Sequence, residues 1–194
     1  MLPEIRAVVL QAGLRGVMRL FHFSDDPRIE VFEPRPPTVP AVRAPGQQWL
    51  NGSLVWAIDE PHSILYLFPR ECPRVVIWPT RQTTDADRSK WLGPTSARAI
   101  AYIEAGWLDR VRAGLIHKYQ MPLESFEDTG DAGMWVSRSA VRSVCMETLT
   151  ALDRHLASSH VELRVLDQLT SLKPVWASSL HGSGIRLRNA VNWS

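Results

Sequence analysis

Two polar side chains stand two positions apart in an apolar run near the start of the chain: His22 and Ser24 in Leu20-Phe21-His22-Phe23-Ser24. Residues i and i+2 of an extended strand project from one face. This run therefore pairs an imidazole and a hydroxyl on one side and anchors Phe21 and Phe23 on the other. Such a pair presents several hydrogen-bonding groups to a ligand at a strand end. Each residue also has a self-contained structural explanation. His22 suits a half-buried histidine bonded to backbone, and Ser24 suits the N-cap of the turn opened by Asp25-Asp26-Pro27.

Other familiar chemistries are missing. Six histidines include no His-x-x-x-His pair, and Cys72 and Cys145 lack the close-spaced companion of a zinc site, so no resident metal is expected. There is no phosphate loop of the Gly-x-x-x-x-Gly-Lys type, no Gly-x-Gly-x-x-Gly and no Gly-x-Ser-x-Gly elbow. His181-Gly182-Ser183-Gly184, with Arg186 and Arg188 beyond it, reads either as a backbone nest for an anion or as a C-terminal turn. Glu162 and Arg164 stand at i and i+2 of an alternating run, as a solvated pair would. Trp56, Trp78 and Trp135 lie in strand-like runs, whereas Trp49 and Trp91 border loops where they could line a pocket.

The elements that must position these groups are short. The 194 residues carry 45% hydrophobic and 22% charged side chains and a net charge of +2, which suits a globular domain with no need of disulfides. No stretch approaches the ~20 apolar residues of a membrane span. Two unpaired cysteines fit a reducing, cytoplasmic setting. Residues 1–17 read as a helical N-terminal extension, and residues 18–194 as a single α+β domain. Strands are predicted at 18–23, 53–58, 74–78, 115–121, 134–137, 141–147 and 161–165. Helices are predicted after Asp59, from Thr84 to Trp91, over 96–113, over 148–158 and over 169–180. Residues 33–48 hold five prolines and read as a long surface loop, serving either as a lid or as a spacer. Strands interrupted irregularly by helices argue α+β rather than a doubly wound sheet.

Three stretches together resemble a known fold. His22-Phe23-Ser24, then Val55-Trp56-Ala57-Ile58-Asp59 with a short helix after it, look like the start of the ADP-ribosyltransferase-like fold, a split mixed or antiparallel sheet with flanking helices. Asp131-Ala132-Gly133-Met134-Trp135-Val136-Ser137, followed by Val141, is similar to the Asn-Gly-Val-Trp-Leu-Thr stretch of the RNA 2′-phosphotransferases, which share that fold. The order of elements agrees from about Leu20 to Glu147. Phe21-His22-Phe23-Ser24 and Trp49-Leu50-Asn51-Gly52-x-Leu54-Val55-Trp56-Ala57-Ile58-Asp59 also look like the signatures of an uncharacterised bacterial domain family. The superfamily resemblance implies NAD as co-substrate, with His22 and Ser24 at the ribose and nicotinamide and Tyr66 and Trp56 walling the pocket. Most transferring members present a Glu at the start of the late strand. Here that place holds Gly133 and Met134, so Asp131 just upstream is the acid the resemblance offers for catalysis. It implies a nucleic acid or a small molecule as acceptor. A module that keeps the fold and binds a ligand or a protein without chemistry is the alternative.

Overall fold

A computed structural model describes residues 18–193; the expected helical extension over 1–17 lies outside the described residues. The strands, in chain order, are β1 (Leu20–Ser24), β2 (Val55–Asp59), β3 (Arg74–Trp78), β4 (Ala99–Glu104), β5 (Leu115–Met121), β6 (Glu127–Asp128), β7 (Met134–Ser137), β8 (Cys145–Thr150), β9 (Val161–Leu166) and β10 (His181–Ile185). They make a six-stranded sheet of order β6-β7-β2-β1-β5-β8 and a four-stranded sheet of order β10-β3-β4-β9, a mixed α+β architecture. No described helix is long and apolar enough to cross a membrane. The described chain divides into two compact units: residues 18–22, 28–62 and 119–146, and residues 23–27, 63–118 and 147–193.

In the first unit the pairing is antiparallel: Leu20 faces Asp59 across β1 and β2, and Ala57 faces Trp135 across β2 and β7. Side-chain alternation then sorts the residues. Leu20, Val55 and Ala57 join Phe32, Tyr119, Met121, Phe126 and Val141 in one apolar cluster against Trp135. Leu50, Leu54 and Val136 gather on the other face, with Trp56 against them. The proline-rich loop is pinned to this unit. Arg35 and Leu54 exchange backbone hydrogen bonds of 3.2 Å, and the Asn51 side chain both accepts from Ala41 N–H (3.1 Å) and donates to Ala41 C=O (2.9 Å).

The second unit is built on the four-stranded sheet. β3 pairs antiparallel with β4 and β10, and β4 pairs parallel with β9. The parallel pair needs a long crossover, which carries the short helices α1 (Leu108–Arg112) and α2 (Leu152–Ser158). Val75, Ile77, Ile100 and Tyr102 pack with Leu92, Leu169, Leu172 and Val175 into its core.

Several predicted elements differ. The helix expected over 96–113 is strand β4 followed by α1. Ile100, Ile103 and Trp107 have helical spacing, yet β4 lies between β3 and β9 and is buried along its whole length. An interior strand reads as a continuous apolar run, which periodicity alone does not separate from a buried helix. The helix expected over 169–180 is a 3-10 stretch, Leu169–Ala177, with Pro174 inside it where no N–H can serve an α-helical ladder. The strand expected at 141–147 begins only at Cys145, Val141 making a single bridge to Phe32. The helix expected after Asp59 is a turn and a 3-10 segment, Ser63–Tyr66. Thr84 does cap a helical turn, its Oγ1 accepting from Asp87 N–H at 3.2 Å.

Candidate functional site

His22 is the middle residue of β1 and half-buried. Its Nδ1 lies 2.8 Å from the carbonyl oxygen of Trp56, and its ring centroid lies 4.7 Å from that of Phe32. A carbonyl only accepts, so this contact requires Nδ1–H and makes Nε2 of the neutral ring an acceptor. Contact with Phe32 places the imidazole on the face of Leu20 and Ala57. The Trp56 ring lies on the opposite face, packed against the Leu50, Leu54 and Val136 cluster with the Arg43 guanidinium 5.6 Å from its centroid. Thus Trp56 meets His22 through its main chain, not through its indole.

Asp59, at the end of β2, shares the face of His22. Leu20 and Asp59 are directly opposite, so His22 and Asp59 form a diagonal cross-strand pair, roughly 7–8 Å apart. The Asp59 carboxylate is held in turn. Oδ1 accepts from His62 N–H at 2.9 Å and from His62 Nδ1 at 2.7 Å. An ionised carboxylate only accepts, so His62 also carries its proton on Nδ1. The two side chains are 15% and 31% exposed, dry enough for the pair to hold its geometry and wet enough to be reached.

The loop before β7 closes over this dyad. Gly133 C=O accepts from Asp59 N–H at 2.9 Å, and Gly133 has φ +73°. A Cβ there would lie 2.5 Å from Asp59 Oδ1 and closer still to His62 Nδ1. Only glycine lets this backbone approach so closely. Asp131 is in the same turn and exposed. It works there through its main chain, its N–H donating to Thr129 Oγ1 (3.3 Å) and its C=O accepting from Met134 N–H (2.8 Å).

Ser24 and Tyr66 belong to the second unit. Ser24 is buried, and its Oγ accepts from Asp26 N–H at 3.1 Å, which is the capping geometry its place in the sequence allows. Tyr66 stacks on Phe23 with centroids 5.9 Å apart and planes 14° from parallel. The Arg74 guanidinium lies 5.8 Å from its ring. His181-Gly182-Ser183-Gly184 is neither turn nor nest: it is β10, zipped residue by residue to β3.

The candidate site residues that sequence reasoning missed are Asp59, His62 and Arg74. Asp59 read as a helix cap, and it does cap His62 N–H. The spacing Asp-x-x-His at a strand end is the signal that one carboxylate oxygen can serve both the N–H and the ring. Arg74 had a plainer signal, a charge opening the run Val75-Val76-Ile77-Trp78.

The model of a family of unknown function, DUF6886, matches residues 21–190. No curated protein and no solved structure matches the chain.

Proposed function

The chain belongs to the DUF6886 family, and we propose that it is an NAD-binding module of the ADP-ribosyltransferase-like kind, acting on a nucleic acid or a small molecule. The single observation that carries this reading is the fixed imidazole of His22 on the same sheet face as the Asp59–His62 dyad.

The donor set suits a nucleotide ribose. With Nδ1–H donated to Trp56 C=O, the His22 imidazole is held in one orientation on the face where a ribose hydroxyl would meet it. The Asp59 carboxylate accepts from a second hydroxyl, and the buried Phe32 ring backs the imidazole. NAD would supply an activated ADP-ribosyl group. The chain's own residues would bind it, orient it and hold a proton. His62, its Nδ1–H held by Asp59, has the arrangement in which a carboxylate orients a general base. Asp59 takes the part for which the resemblance offers Asp131. Cys72 and Cys145, both unpaired, suit a reducing cytoplasmic compartment.

Calorimetric titration of NAD into the full chain tests this reading. The expected result is saturable heat that weakens at least about tenfold in His22→Ala, a loss of roughly 1.4 kcal/mol. Absence of heat for both proteins at millimolar NAD overturns it. A second reading, binding without transfer, is favoured by one observation: β7 starts at Met134 after Gly133, with no acid there. Release of nicotinamide from NAD separates the two, since a binder gives heat and no nicotinamide.

A further inference from the structure

Arg74 is a guanidinium where the fold has little use for one. It opens β3 beside Val75, Val76 and Ile77, all fully buried, and is itself 2% exposed. Its Nε donates to Leu65 C=O at 2.8 Å and its Nη1 to Cys72 C=O at 2.9 Å. The Phe68 and Tyr66 rings lie 5.0 and 5.8 Å from its central carbon. Among the described residues no carboxylate comes within ion-pair distance of it. Burial draws its pKa down to about 10, far too little to discharge it at neutral pH. A buried charge costs several kcal/mol unless it is paired, so an unpaired one calls for an explanation.

The surroundings deepen the imbalance. Arg186 donates through Nε to Arg70 C=O at 3.2 Å and lies 3.4 Å from Glu71. Arg188 lies 3.3 Å from the same carboxylate, and Asn189 Nδ2 donates to Glu71 Oε2 at 2.9 Å. Three guanidinium groups (Arg70, Arg186 and Arg188) thus act on one carboxylate, already engaged by Asn189, Arg186 and Arg188. The charges of Arg186 and Glu71 both act on Arg74, so these groups share one electrostatic neighbourhood. All of them belong to the second unit.

We propose that Arg74, with Arg186 beside it, is an anion site that takes a phosphate or pyrophosphate group. Guanidinium forks match phosphate oxygens two at a time, and several of them together favour a multiply charged anion. The two carbonyl bonds of Arg74 brace the loop from Leu65 to Cys72, which holds the fork in place. Bracing alone would need only two N–H donors and no charge. The ligand contributes the missing negative charge. This inference rests on the second unit's residues and does not depend on the NAD reading.

The test is titration of inorganic phosphate, pyrophosphate and ADP separately into the full chain at low salt, followed by calorimetry and thermal unfolding. Saturable binding of pyrophosphate and ADP alike identifies the phosphoryl group itself as the ligand. Binding of ADP alone assigns the site to a nucleotide. Either result must weaken at least about tenfold in Arg186→Ala, whose side chain is half-buried and outside the apolar core cluster. Arg74→Gln, which retains donors and loses the charge, must abolish binding if it folds. The proposal is overturned if none of the three anions binds saturably at about 10 mM, weaker than a roughly 3 kcal/mol interaction. It is equally overturned if binding is unchanged in Arg186→Ala. A null NAD titration would leave a positive pyrophosphate result standing.

Discussion

Two glycines in one turn give a controlled measurement of how tightly the Asp59–His62 dyad is built. Gly130 and Gly133 have nearly the same backbone, φ +71° and +73°, so alanine meets the same left-handed strain at both, about 1–2 kcal/mol. Their surroundings differ. A Cβ at Gly130 meets nothing within 4 Å, whereas at Gly133 it falls 2.5 Å from Asp59 Oδ1. To make room, Gly133→Ala must drive the carboxylate and imidazole apart, losing a charge-assisted hydrogen bond worth about 1.5–3 kcal/mol. Gly130→Ala should therefore lose about 1–2 kcal/mol and Gly133→Ala about 2.5–5 kcal/mol, read as shifts in urea midpoint at unchanged slope. The excess belongs to the dyad. In an Asp59→Ala, His62→Ala background, Gly133→Ala should cost no more than Gly130→Ala, closing a double-mutant cycle. Equal penalties at the two glycines in the parent chain would refute the reasoning. So would an excess that survives removal of both partners.

Two further expectations concern titrating groups. Burial pushes the Cys72 thiol up to about 12, while Cys145 is exposed. A thiol reagent near pH 8 should modify Cys145 at once and Cys72 only on unfolding, and rapid loss of both thiols from native protein would contradict this. The Glu162 carboxyl is held below its ordinary range by hydrogen bonds from Arg164 and then Thr95. A depressed acid stabilises the fold above its unfolded pKa and loses that contribution as pH falls through the folded value. The pair is 30–38% exposed and screened by solvent. Glu162→Gln should therefore cost only about 0.5–1 kcal/mol at neutral pH, with the gap to the parent closing as pH drops well below 4.5. A gap that widens on acidification would reverse the sign of the linkage.

Local chemistry was legible in the sequence and partnership was not. The strand through His22, the Ser24 cap, the Thr84 cap and the exposed proline-rich loop all follow from residue types over a few positions. The strand Ala99–Glu104 did not, because its burial on both faces comes from β3 and β9, which lie far away in the chain. His181–Ile185 likewise becomes a strand only because β3 offers it an edge, overriding two glycines of low strand propensity. Arg74 looks like an ordinary strand-end charge until its carbonyl partners, Leu65 and Cys72, are brought round by the loop between them.

Register, above all, decides which candidates can act together. Leu20 lies opposite Asp59, so β2 shows the odd-numbered residues Val55, Ala57 and Asp59 on the face where β1 shows Leu20 and His22. A slip of one residue would exchange every partner, since the side-chain period of a strand is two. It would set Trp56 and Ile58 beside His22 and turn Asp59 away. The observed register instead orients the His22 ring on the Trp56 carbonyl and sets Asp59, with His62 bonded to it, on the same sheet face. Gly133 then seals the pair from the next strand over. Asp59 thus shares this face from two strand positions along the neighbouring strand, a placement that only the pairing of β1 with β2 reveals.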